Sequence, residues 1–159
     1  MDCVPPAAAA TSAQQSPALA ERETMYLTGV NAYTNSCGDT ITFEFKKSGS
    51  PGPGFKASYE PAASAKSEDG SGKPIRIEGS AFLVVRLTPA MTAEISGDEV
   101  EPTYTGPGRI QAEGFSFVRE IVKTGDFEAV VTWVIGLDEK RPFKATASRT
   151  LLTVEFPDS

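Results

Sequence analysis

Residues 125–137 read GDFEAVVTWVIGL, and apolar side chains recur there at every second position: Phe127, Ala129, Val131, Trp133, Ile135 and Leu137. A helix brings apolar residues round every three or four positions. A period of two belongs to a strand with one face turned to a core. Glu128, Val130, Thr132, Val134 and Gly136 fall on the opposite face. The stretch is expected to be a central strand, opened by a turn at Gly125-Asp126.

The same alternation returns in shorter pieces. Residues 24–30 (TMYLTGV) predict a first strand, followed by a turn-rich loop, NAYTNSCGD. Residues 39–45 place Ile41, Phe43 and Phe45 inward against Thr40, Thr42 and Glu44. KKSGSPGPG is a strong turn signal, and Phe55, Ala57 and Tyr59 alternate after it, which predicts a hairpin. Residues 60–73 read as a solvated loop and residues 75–77 as a short strand. Residues 81–87 (AFLVVRL) are apolar on both faces, as in a strand covered on both sides. Residues 89–109 are the least regular part. Residues 115–122 resume strand character, and residues 123–126 are expected to be a tight hairpin connection to the Trp133 strand. Phe143, Ala145 and Ala147 alternate next, and residues 149–156 close the chain with Leu152, Val154 and Phe156 inward. Eight or nine short strands with almost no helical periodicity predict an all-β fold, an antiparallel β-sandwich, with a closed barrel as the alternative.

A chain of 159 residues suffices for one domain with a real core. Residues 1–23 are rich in Ala, Pro, Ser and Gln and poor in aromatic and β-branched residues. They are expected to form a disordered tether ahead of a domain at 24–159. No run is long or apolar enough to cross a bilayer. Cys3 at the head of this tract has three readings: the acylated cysteine of a lipid-anchored tether, a free thiol, or half of a disulfide with Cys37.

The order FEF, PGFKASY, DGSGKPIRIEGSAFLVVRL, FVREIVKTGDFEAVVTWVIGLDEKRPF and a terminal LLTVEF resembles the AMIN-like domain of actinobacterial secreted proteins and lipoproteins. GDFE, TWVIGL and RPF within residues 125–143 carry the likeness most specifically, and it extends over about residues 38–156. The approach to the FEF strand, NSCGDTITFEF, departs from the charged segment the family leads one to expect. The resemblance implies a β-sandwich exported to the cell envelope, often behind a lipid-anchored tether, and supplies no catalytic motif. Related AMIN domains of cell-wall amidases and pilus secretins are envelope-targeting modules thought to bind peptidoglycan, and transfer of that ligand rests on fold analogy.

The chain contains no histidine, which removes Ser-His-Asp and Cys-His catalysis and every His-containing zinc site. SGSPGPG has prolines where a phosphate cradle needs N–H groups, so it is a turn. A net charge of −6 without a Lys/Arg cluster argues against nucleic-acid binding. Glu94, Asp98, Glu99 and Glu101 could offer oxygen ligands to calcium or an acid/base pair, but they read first as a solvated acidic loop. Trp133 falls on the apolar face of its strand and reads as core. Recognition is assigned instead to loops: Tyr104 and Arg109 around TYTGPGR, and Lys140 and Arg141 before Phe143, where aromatic and cationic groups could stack on sugar or pair with carboxylates. Packing of Tyr104 on the sandwich and pairing of Arg141 with Asp138 or Glu139 is the competing reading of those residues. The expectation is a monomeric, non-enzymatic envelope module without cofactor or metal, binding cell-wall peptidoglycan or associated glycan. The rival is an envelope protein–protein interaction or structural module, and its membrane contact would come only through a lipid at Cys3.

Overall fold

The computed structural model describes residues 3, 6, 8–17, 22–46 and 52–158. In chain order the described strands are β1 (Gln14–Gln15), β2 (Met25–Asn35), β3 (Gly38–Lys46), β4 (Phe55–Glu60), β5 (Ala81–Leu87), β6 (Ala90–Met91), β7 (Ala93–Ser96), β8 (Glu99–Pro102), β9 (Arg109–Gln111), β10 (Val118–Phe127), β11 (Val130–Leu137), β12 (Lys144–Ser148) and β13 (Leu151–Pro157). One short helix, α1 (Ala62–Ala65), follows β4. The strands form two facing sheets, β1-β4-β5-β11-β10-β9 and β12-β13-β3-β2-β6, while β7 and β8 stand apart as a hairpin. All pairings are antiparallel except β2 with β6. This is the expected antiparallel β-sandwich, with several extra segments of two to four residues added to the main strands.

Alternation built the core as read. Val131, Trp133, Ile135 and Leu137 of β11 and Leu83, Val85 and Leu87 of β5 are fully buried against Ile41, Phe43, Leu152, Val154 and Phe156 of the other sheet. Trp133 lies opposite Val85 and Ile135 opposite Leu83. A slip of one residue would turn both sets toward the outer face, so burial fixes this register. The outer face of β5 is covered as well: Phe82 and Val84 join Val122, Val134, Ala65 and Ile77 in a second apolar cluster.

Several expectations change. The turn before β11 is not at Gly125-Asp126; β10 runs on to Phe127, and the chain reverses at Glu128-Ala129, both at positive φ (51° and 61°). Phe127 is therefore 56% exposed at the hairpin tip rather than in the core. Gly125 serves a different purpose, because a Cβ there would lie 2.0 Å from Asp69 Oδ2. That closeness lets residues 66–75 dock on the sheet, with Thr132 Oγ1 donating to Asp69 Oδ2 at 2.7 Å and the Asp69 N–H to Thr124 O at 3.0 Å. The expected solvated loop at 60–73 is thus partly packed, and Ile77 covers the outer face without belonging to a strand.

The predicted β3–β4 hairpin does not form: β3 pairs with β2 and β13, and β4 belongs to the opposite sheet. A Gly/Pro-rich turn reverses the chain, but does not specify which sheet receives it. β2 also continues through the expected loop to Asn35. The described part of the presumed tether departs from disorder. Gln14 and Gln15 pair with Ala57 and Lys56 of β4, and Ala10 bridges to Phe143.

Candidate functional site

Tyr104 follows β8 on a loop held by two N–H donations, from Thr103 and Tyr104, to Thr92 O. The Thr103 hydroxyl donates to Leu27 O at 2.8 Å. This seats the Tyr104 ring edge-on against buried Trp133, with centroids 5.6 Å apart and planes at 87°. Its hydroxyl donates to Pro107 O, and burial pushes the phenol pKa up. Trp133 also meets Phe43 edge-on at 6.2 Å. Tyr104 is therefore a plug on the core, and Trp133 is core, its Nε1 without a hydrogen-bond partner among the described residues.

Arg109 lies on edge strand β9. Its guanidinium donates to Glu120 Oε2 at 2.7 Å, Gln111 Nε2 donates to the same oxygen at 2.6 Å, and the Glu78 N–H donates to Oε1 at 3.0 Å. Glu120 is only 1% exposed. A register shift between Val118 and Glu120 turns this carboxylate to the outer face, where it needs these donors. Arg109 is thus committed to a buried charge.

Arg141 is held at both ends. Its N–H donates to Tyr59 Oη at 2.9 Å, and the Tyr59 hydroxyl donates back to Arg141 O at 2.6 Å. Burial is the largest cause pushing the Tyr59 pKa up to about 12. The guanidinium grips Asp138 at 2.7 and 3.2 Å, reaches Glu139 at 2.8 Å and stacks 4.3 Å from the Phe117 ring centroid. Hydrogen bonding from Arg141 draws the Asp138 carboxyl below its ordinary value. This is the pairing anticipated for Arg141.

Lys140 is differently placed. Its ammonium sits over the Tyr59 ring, 5.7 Å from the centroid. It lines an open cleft of about 460 Å³ together with Tyr59, Glu60, Ser80, Phe82 and Glu139. Glu60 is held in place by Arg86, which also donates to its second oxygen at 3.3 Å. The cleft offers an aromatic ring, both signs of charge and a hydroxyl. Lys140 lines such a space, and the two loops contact different partners: Trp133 and Glu120 for one, Tyr59 and Phe117 for the other. Sequence reasoning did not single out Tyr59, Glu60 and Ser80, which line the same cleft. The clue was Tyr59 at the end of an inward-facing series, where a phenol must find a hydrogen-bond partner beyond the core.

Asp98, Glu99 and Glu101 project from the exposed β7–β8 hairpin. No group of three or more potential metal-ligating side chains is arranged around a common point among the described residues. Cys3 and Cys37 form a disulfide beside a second cleft of about 590 Å³ lined by Asn35, Asp39, Glu155 and Asp158. A lipid thioether needs the same Sγ, so acylation of Cys3 and a free thiol there are both incompatible with this structure.

These features define a β-sandwich with clefts and loops at the margins of its sheets. The AMIN-like domain family model matches residues 25–154, and the chain belongs to that family. Membership points to an extracytoplasmic, envelope-associated module. The Cys3–Cys37 bond agrees with an oxidising compartment. No curated protein and no solved structure matches the chain.

Proposed function

We propose that this domain is a non-enzymatic, monomeric binding module of the cell envelope that recognises cell-wall peptidoglycan or its associated glycan. The observation that supports this reading is the cleft beneath Lys140. Peptidoglycan presents hydroxyl-rich rings beside peptide carboxylates and amines. A cleft with Tyr59 at its wall, Lys140 over it and Glu60 and Glu139 on its rim is complementary to all three.

Co-sedimentation of the protein with purified sacculi tests it. Saturable binding is expected, with Lys140→Ala weakening it about twofold to fivefold, the range for an exposed cationic contact. Lys140→Ala binding equal to wild type, or no saturable binding at all, would remove the reading. The β7–β8 hairpin favours a second one. Ile95 and Val100 lie directly opposite each other on it, 60% and 63% exposed, beside three carboxylates. If an envelope protein docks there, Ile95→Ser/Val100→Ser abolishes its capture while sacculus binding persists.

A further inference from the structure

Residues 8–17, AAATSAQQSP, run along the side of the sandwich where both sheets end. On one flank Gln14 and Gln15 pair with β4, and the Ser16 N–H donates to Phe55 O at 3.0 Å while Ser16 Oγ accepts the Phe55 N–H at 3.0 Å. On the other flank Ala10 and Phe143 exchange two backbone bonds of 3.0 and 2.8 Å. The Gln14 carboxamide then does for β12 what a neighbouring strand would do. Its Nε2 donates to Phe143 O at 2.6 Å, and its Oε1 accepts the Ala145 N–H at 2.8 Å.

We propose that this groove between β4 and β12 is an acceptor site for an extended, uncharged polypeptide strand rich in Ala, Ser, Thr and Gln, supplied by another protein, with the chain's own arm as its resident competitor. Without the arm, two sheet edges offer unpaired backbone groups, which is the template for strand addition. The arm's hold consists largely of backbone hydrogen bonds that any extended chain can make, and its Ala8, Thr11, Ser12, Ala13 and Gln15 remain exposed. None of residues 8–17 is charged, and Gln14 makes the paired side-chain contact, so a carboxamide at that position is the element of selectivity. The Cys3–Cys37 bond anchors the arm's beginning to the body. Tethering raises the arm's effective concentration at a weak site and excludes outside strands. The groove is distinct from the wall-binding reading, since Lys140 has no part in it.

The probe is a fluorescein-labelled peptide AAATSAQQSP, titrated by anisotropy into three full-length chains: wild type, Cys3→Ser/Cys37→Ser, and Gln14→Ala with the disulfide intact. Gln14→Ala is expected to bind up to about tenfold more tightly than wild type, and Cys3→Ser/Cys37→Ser, whose arm stays joined to the body only at its far end, about threefold or more tightly. A peptide with Ala replacing the glutamine equivalent to Gln14 should bind about tenfold more weakly, for two lost hydrogen bonds. Lys140→Ala should not alter peptide affinity, whatever it does to sacculus binding. Near-UV circular dichroism establishes that each variant is folded, and Gln14→Ala keeps the test decisive if the serine variant is not. No saturable binding to a folded variant, or equal binding of a scrambled peptide, overturns the proposal.

Discussion

Asp39 offers the most direct test of what joins the two sheets. Its carboxylate, 1% exposed on β3, reaches across to the beginning of β10 in the opposite sheet. Oδ2 accepts the N–H groups of Phe117 at 2.7 Å and Val118 at 2.9 Å; Oδ1 accepts the Ser116 N–H at 3.1 Å and the Thr34 hydroxyl at 2.7 Å. Asp39→Ala strands three backbone donors, each costing about 1–3 kcal/mol if buried dry. Asp39 also lines the cleft beside Cys37, so water can reach part of the vacated space, which places the expected loss near the low end, about 3–5 kcal/mol. Asp39→Asn keeps one acceptor oxygen but turns an NH₂ toward the Ser116 N–H. It should lose about 2–3 kcal/mol, as one charge-assisted bond becomes a donor–donor clash. Urea unfolding followed by Trp133 fluorescence measures both. A domain at the low end of ordinary stability, about 5 kcal/mol, would survive Asn and come close to unfolding with Ala. Losses below about 0.5 kcal/mol for both variants, or a larger loss for Asn than for Ala, would refute the view that this carboxylate staples the sheets.

Gly125→Ala should cost about 1–3 kcal/mol by driving a methyl into Asp69, and Asp69→Ala should relieve it. A double-mutant cycle by urea unfolding should therefore be clearly less than additive. Ala129→Gly should stabilise by about 0.5–1 kcal/mol, because Ala129 holds a φ of 61° that glycine adopts without a Cβ penalty; thermal unfolding reads the shift. The Tyr59 phenol has a raised pKa in the fold, so its contribution to stability is fully present below its unfolded value near 10 and is lost as pH climbs toward about 12. Tyr59→Phe should flatten that decline in denaturation curves taken across this range. Peptide mapping without reductant should recover Cys3 and Cys37 in one linked species, separating on reduction.

The fold was legible where burial enforces a period of two. Phe43, Val85, Trp133, Ile135 and Val154 all lie where alternation puts them, and the two-faced apolarity of β5 announced the second cluster over Phe82 and Val84. Turns were read less well because glycine has more than one use. Gly125 looked like a turn residue but is there to admit Asp69, while the real turn uses Glu128 and Ala129, which carry no turn signature. The polar end of β2 reads as a loop because Tyr33, Thr34 and Asn35, though paired with β3, show no apolar alternation. Among the candidate residues, Lys140, singled out from its turn, lines a cleft. Tyr59, Glu60 and Ser80 come from strands β4 and β5 and their connection, and only the folded chain brings them to it.

The fate of the other three candidates follows from the energetics of charge. A ligand that recruited Arg109 would have to share or remove a guanidinium that compensates Glu120, and uncovering a buried carboxylate costs about 3–5 kcal/mol. An exposed contact from arginine to a ligand returns about 1 kcal/mol, so the exchange is unfavourable. Arg141 faces the same arithmetic on a smaller scale, since it already answers Asp138 and Glu139 and covers Phe117. Tyr104 could turn outward only by uncovering Trp133. Exposure and residue type alone therefore do not show which side chains the fold already uses. A side chain is free to recognise something else when the fold asks little of it, and by that measure Lys140 in its cleft and the exposed Ile95–Val100 pair are engaged less by the fold than Arg109, Arg141 or Tyr104.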